Sequence, residues 1–292
     1  MSVEYLQEGA TDFSSGFWKL VDGSAGSGVV DNAELVCSTG GASVTAGLTY
    51  ATLGAPNEGI SYLKIAERFS GNIGTATVPF LVDVDKVDTE YSSSASTSSR
   101  IEHYGPGTLY MNAGGPSTKC SNLFQFGVGR TVLVNGTFAY VSVKNGTLQV
   151  EELATLTKAD LFGGTATIAK KSSASTTINV HGGNHTLQRP CTTINVYGGT
   201  LTINTFYAQQ ASNLNIYGGT VNLVAHGDLS GTGVITACVQ YGGFLDVSSL
   251  RVDTTITTYT RYANARVSAK PMGAKLTITN DVRKDPTLQS YS

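Results

Sequence analysis

Between Thr177 and Val247 apolar and polar residues alternate one for one, and paired glycines interrupt the alternation at near-regular intervals. Thr177-Ile178-Asn179-Val180-His181-Gly182-Gly183 is followed by Thr193-Ile194-Asn195-Val196-Tyr197-Gly198-Gly199 and by Asn213-Leu214-Asn215-Ile216-Tyr217-Gly218-Gly219. Cys238-Val239-Gln240-Tyr241-Gly242-Gly243 is a looser copy. A second alternating phrase follows the glycines, as in Thr200-Leu201-Thr202-Ile203, Thr220-Val221-Asn222-Leu223 and Phe244-Leu245-Asp246-Val247. A period of two places one set of side chains on the inner face of a strand and the other outside. Each copy therefore predicts strand, turn, strand. Ile178, Val180, Ile194, Val196, Leu214 and Ile216 are expected inside, with Leu201, Ile203, Val221, Leu223, Leu245 and Val247 from the second strand. Outside, Asp160, Asn179, Asn195 and Asn215 fall in one column, and Phe162, His181, Tyr197, Tyr217 and Tyr241 in another.

Aligned on residues 147, 165, 184, 200, 220 and 244, the copies are separated by steps of 18, 19, 16, 20 and 24. Like residues recurring one coil apart are what a parallel, in-register solenoid produces, with strands about 4.8 Å apart. A leucine-rich repeat would need its own leucine frame, and these Gly, Thr and Asn stretches are poor helix formers. A left-handed hexapeptide helix would need a strict beat of six, and a calcium-binding roll a glycine-rich nonapeptide that the chain lacks. From about residue 60 to 280 the chain resembles the right-handed parallel β-helix proteins, whose coils tolerate corner loops of different size. The expected fold is thus all-β, a single-stranded parallel β-helix, with right-handedness implied by that resemblance.

Residues 1–58 show no clear repeat and are read as an N-terminal cap or attachment arm, with Phe13, Phe17 and Trp18 ahead of a Gly/Ser loop at 23–28. An open solenoid has to hide its first coil from edge pairing, which favours a cap, while docking on a partner would favour an arm. Residues 59–280 form the β-helix, with expected strands at 62–66, 78–84, 100–105, 123–126 and 131–136 before the regular array, and at 254–259 and 274–279 after it. The serine-rich run 91–99 reads as a corner loop, and 281–292 as a C-terminal tail.

Composition narrows the function classes. Charged residues make up 14% of the 292-residue chain and glycine contributes 34 positions, against about a quarter charged in an ordinary domain. A net charge of −2 leaves no basic footprint for nucleic acid. The first residues have neither the basic nor the apolar region of a secretion signal, and no run approaches the ~20 apolar residues of a membrane span. Synthesis in a host cytoplasm without secretion or membrane insertion is the expectation. Cys37, Cys120, Cys191 and Cys238 lie far apart with no C-x-x-C pair, so no zinc site is expected, and Cys191 and Cys238 are read as small buried hydrophobes.

Several polysaccharide lyases and glycoside hydrolases share this architecture. Glycoside hydrolysis needs two carboxyl groups facing one sugar. The acids of the array, Glu151, Glu152, Asp160, Asp228 and Asp246, do not pair in one column. The N-T-D, D-D, G-H-G and R-I-K strings of the polygalacturonase-like family do not occur, and Arg189 and Lys170 have no acidic cluster beside them. No catalytic residue, metal ligand or cofactor is therefore assigned. His181 is read as a stacking equivalent of Tyr197, and His185, aligned with inward Leu201, as the mark of a local register change. The loop 227–233 lacks the Lys-Ser/Thr of a phosphate loop, and the N-x-T triplets at Asn135 and Asn145 are read as turn chemistry.

The candidate binding residues are Tyr197, Tyr217, Tyr241 and His181. Aligned exposed aromatics can stack on sugars or sit at a protein interface, or can simply stabilise the solenoid by stacking on one another. The pattern resembles in style the β-helical components of virions, chiefly of bacteriophages. That resemblance implies a non-enzymatic structural protein such as a capsid decoration protein, head fibre or tail component. Its expected partners are copies of itself, a trimer by resemblance, and other virion proteins. A carbohydrate-binding adhesin with a surface glycan as ligand is the alternative, followed by a polysaccharide-cleaving enzyme.

Overall fold

The computed structural model describes residues 3–6, 18–20, 22–25, 34–37, 62–65, 72–73, 81–84, 89–91, 100–112, 119–169, 174–204, 210–224, 233–250, 253–268 and 276–284. The described residues are strands and turns, without a helix. They fall into two compact units, Met1–Leu156 and Thr157–Ser292. Most of the loops read at 91–99 and 227–233 lie outside the described residues, as do Phe13, Phe17, Lys170, His226 and Asp228.

The first unit opens with β1 Val3–Leu6, β2 Trp18–Leu20 and β3 Glu34–Cys37. It continues with β4 Tyr62–Ile65, β5 Asn72–Ile73, β6 Leu81–Val84 and β7 Thr89–Tyr91. β8 Arg100–His103, β9 Thr108–Asn112, β10 Lys119–Gln125 and β11 Arg130–Val143 follow, and β12 Thr147–Leu161 spans the junction. β1 pairs antiparallel with β2 and parallel with β3. From there every pairing is parallel: β3 to β4, β4 to β6, β6 to β8 and β8 to β10 along one face, β5 to β7 and β7 to β9 along another. β11 belongs to both faces, because its first half pairs with β9 and its second half with β10. The alternation predicts separate strands there. Instead one long strand turns a corner at Gly136, where φ is 110° and the amide donates to Asn135 Oδ1 at 2.8 Å. Only glycine takes such a φ at little cost, and the register shifts just before it, between Leu133 and Asn135.

The second unit holds β13 Thr165–Ile168, β14 Ser175–Val180, β15 Asn184–Leu187, β16 Cys191–Val196, β17 Thr200–Asn204 and β18 Ala211–Ile216. β19 Thr220–Val224, β20 Gly233–Gln240, β21 Phe244–Asp246, β22 Thr254–Tyr262, β23 Arg266–Val267 and β24 Leu276–Lys284 complete it. β14, β16, β18, β20, β22 and β24 stack in parallel on one face. β13, β15, β17, β19, β21 and β23 stack on the other. This is the parallel β-solenoid that the alternation predicts. β24 runs through Lys284, into the segment read as a tail.

The expected inward residues all lie in the core: Ile178, Val180, Ile194, Val196, Leu214, Ile216, Leu201, Ile203, Val221, Leu223, Leu245 and Val247 are buried. Cys191 and Cys238 join them as free thiols, and burial pushes both up to about 12, beyond ready ionisation. The paired glycines make the turns. Gly219 has a φ of 71°, and a Cβ there would stand 2.6 Å from the Gly199 carbonyl oxygen of the coil before.

One expectation is corrected. No register change surrounds His185, which pairs with Ala166 on one side and Leu201 on the other and points inward. The histidine has a job inside: its Nε2 donates to the Gly182 carbonyl oxygen at 2.6 Å, satisfying a turn acceptor that aliphatic neighbours cannot.

Candidate functional site

The aromatic column becomes a continuous ladder because the turn after each β14-type strand has the same shape. Phe162, His181, Tyr197, Tyr217, Tyr241 and Tyr262 stand at equivalent places, with ring centroids 4.4, 4.8, 4.9, 4.9 and 4.7 Å apart. Their planes are within 20° of parallel. The spacing is that of the strands, so backbone pairing dictates the stack. Tyr197, Tyr217 and Tyr241 remain 46%, 44% and 41% exposed.

Stacking settles what these rings can offer. Each inner ring has a neighbour on both faces, so Tyr197, Tyr217 and Tyr241 present edges and hydroxyls rather than faces. A sugar cannot lie flat on them in the manner the sequence suggests. Desolvation first, then the neighbouring Tyr197 and Tyr241 phenols, raise the Tyr217 hydroxyl above its ordinary value, so that hydroxyl stays neutral and hydrogen-bonding.

Beside the rings runs a second ladder. Asn215 Nδ2 donates to Asn195 Oδ1 at 2.8 Å, Asn195 Nδ2 to Asn179 Oδ1 at 2.8 Å, and Asn179 Nδ2 to Asp160 Oδ1 at 2.6 Å. Asp160 thus ends an amide chain, with Lys158 Nζ at 3.8 Å from its other oxygen. Asp246, on the opposite face, accepts from the Ser248 amide at 2.8 Å, and its hydrogen bonds to Ser248 hold its carboxyl below the usual range. The two acids stand in different columns.

Inside the coils polar side chains hold the turns. Gln125 Nε2 donates to the Gly127 and Gly129 carbonyls, and Gln240 Nε2 to those of Gly243 and Arg266. The Tyr259 hydroxyl donates to Gln240 Oε1. The Thr131 hydroxyl donates to Gln125 Oε1, which leaves it to accept from His103 Nδ1 at 2.9 Å. His103 Nε2 is then a bare, buried acceptor, and desolvation lowers the imidazole to about 4. Arg189 is fully buried and donates from Nε to the Ala169 carbonyl at 2.9 Å. Among the described residues no group of three or more His, Cys, Asp or Glu side chains converges on one point.

The structure therefore brings His181, Tyr197, Tyr217 and Tyr241 together in one column and extends it by Phe162 and Tyr262. Tyr262 escaped the alternation because no glycine pair follows it. Its signal was the shared spacing of Cys238 to Tyr241 and Tyr259 to Tyr262, a pairing that the register makes explicit for Cys238 and Tyr259. No protein-family model, curated protein or solved structure matches the chain.

Proposed function

We propose that this solenoid is a non-catalytic structural protein of a virion, such as a bacteriophage capsid decoration protein, head fibre or tail component. The supporting observation is that the most conspicuous surface side chains of the second unit are engaged with one another along the coils. Ring faces cover ring faces, and each amide of the Asn179, Asn195 and Asn215 column donates to the rung before it. Such ladders stiffen a surface and make it periodic, as a lattice component requires. They leave an outer face of tyrosine edges, amides and threonines suited to a broad polar contact.

The test is proteomic and structural. Particles purified from the source of the chain should contain it in a fixed stoichiometric ratio to a major virion protein, and imaging with a labelled antibody should place it on the shell or tail. Its absence from purified particles would overturn the reading.

The row of half-exposed tyrosine hydroxyls favours a second reading, a glycan-binding adhesin. A glycan array on the wild type and Tyr217→Ala separates the two. The structural reading expects no ligand whose signal the substitution removes, and the adhesin reading expects one.

A further inference from the structure

The tyrosine half of the aromatic ladder sets phenol beside phenol on consecutive coils. Phe162 and His181 open the ladder without a hydroxyl, and Tyr197, Tyr217, Tyr241 and Tyr262 follow. Backbone pairing fixes their places. The Tyr217 amide donates to the Val196 carbonyl at 2.8 Å and the Tyr241 amide to the Ile216 carbonyl at 2.8 Å, in each case the residue before the tyrosine of the preceding coil. The glycine after each ring lets the turns nest, since a Cβ at Gly218 would stand 2.6 Å from the Tyr197 carbonyl oxygen.

Two consequences bear on chemistry. In a parallel, in-register stack, neighbouring rings are related by a shift of one strand spacing, so like atoms face like atoms. The Tyr197 and Tyr217 centroids are 4.9 Å apart with planes 5° from parallel, and those of Tyr217 and Tyr241 are 4.9 Å apart with planes 2° from parallel. The ring carbon ortho to one hydroxyl therefore lies beside the same carbon of the next ring. The three rings are also half-exposed, so a diffusing oxidant reaches their edges and water takes a phenol proton. Tyr259, buried with its hydroxyl on Gln240, is closed to both.

We infer that the tyrosine run is a site of oxidative modification, at which a one-electron oxidant of the ruthenium(III) or peroxidase class joins consecutive coils of one chain by dityrosine bonds, Tyr197 to Tyr217 or Tyr217 to Tyr241. Each of two neighbouring phenols gives one electron to the oxidant and its hydroxyl proton to water. The two radicals join ortho carbon to ortho carbon, and the ring hydrogen at each end of the new bond passes through water to the ring oxygen, which restores two phenols. One carbon–carbon bond forms for two electrons and two protons lost. Exposed side chains reorient on the picosecond to nanosecond scale, which lets two rings splay out of the stack to close the gap. Holding the partners as neighbours replaces a chance encounter with an intramolecular step. Coils held by hydrogen bonds thereby gain a covalent seam. This goes beyond the structural reading above and does not depend on it, since one chain carries every reacting ring.

The test is photo-oxidation of the full chain with tris(bipyridyl)ruthenium(II) and persulfate at low protein concentration. The band of single-chain mass is cut from a denaturing gel and digested with thermolysin, which separates the three tyrosines. Linked peptides are read by mass spectrometry alongside dityrosine fluorescence. Peptides joining Tyr197 to Tyr217 and Tyr217 to Tyr241 should appear, each lighter by two hydrogens, and should be about tenfold scarcer in chain oxidised in urea, where the register is gone. Tyr217→Phe keeps a ring in the stack and should remove both links and most of the fluorescence, leaving a link between Tyr241 and Tyr262, whose centroids are 4.7 Å apart. Tyr104→Phe, which removes an exposed phenol of the first unit, should change neither readout. Absence of both links from the single-chain band, or dityrosine confined to bands of joined chains, overturns the inference. Equal yields from folded and unfolded chain, or fluorescence that Tyr217→Phe leaves unaltered, overturn it as well.

Discussion

At the scale of single residues, the polar side chains inside the coils explain how a core can be apolar and still satisfy its turns. Some glycine turns aim backbone carbonyls inward, as at Gly127, Gly182 and Gly243, and an unpartnered buried carbonyl costs on the order of 1–3 kcal/mol. Gln125, Gln240 and His185 each reach such a carbonyl. His103 is the titratable extreme. The folded chain keeps it neutral down to about 4, whereas the unfolded chain protonates near 6.5. Below 6.5 the unfolded state therefore binds the extra proton, and stability falls as pH drops until the folded value is reached. Across that window His103 should remove on the order of 3 kcal/mol, and His185, lowered for the same reason, should add to the loss. Chemical denaturation at pH 7 and pH 4.5 should show the acid loss clearly reduced in His103→Gln, whose amide still reaches Thr131. An identical acid loss in the variant would contradict the assignment of a neutral, buried imidazole.

At the scale of strands, the parallel register converts a one-dimensional pattern into columns. A residue that is wrong in one rung is wrong against both neighbours. Val196 is fully buried between Val180 and Ile216, so Val196→Asp places a carboxylate in a dry column and should cost more than about 4 kcal/mol. Asn195, one residue away, lies half-exposed in the amide ladder, and Asn195→Ser should cost about 1 kcal/mol or less. Thermal melts followed by far-ultraviolet circular dichroism distinguish the two, and similar tolerance of both would contradict the assignment of inner and outer faces. The period-two pattern made these faces legible because identical residues recur at each rung. Less legible was whatever depends on closure in space. His185 breaks the column of aliphatic residues in sequence but fits it in structure, because it serves a carbonyl rather than the core. Tyr262 lacks the glycine pair that marked the other rungs. Face-to-face stacking of Tyr197, Tyr217 and Tyr241, which withdraws their faces from a ligand, follows from strand spacing and not from residue type.

At the scale of the whole molecule, parallel solenoids leave unpaired edges, and each unit shows how one is treated. In the first, β2 lies antiparallel on β1, whose other side pairs with β3, so among the described residues the edge is the three-residue β2 rather than β1. In the second, β24 pairs with β22 and carries Asp281, Arg283 and Lys284, charges that discourage further strand addition in register. The proposed structural role predicts association through the outer faces into a closed, symmetric oligomer. The most direct measurement is multi-angle light scattering of the purified chain over a wide concentration range, coupled to negative-stain imaging. A virion structural role predicts a discrete homo-oligomer, a trimer by resemblance to β-helical virion proteins, with matching rotational symmetry in the images. A mass that stays at the 30.5 kDa of one chain at every concentration, with single rods in the images, would contradict it.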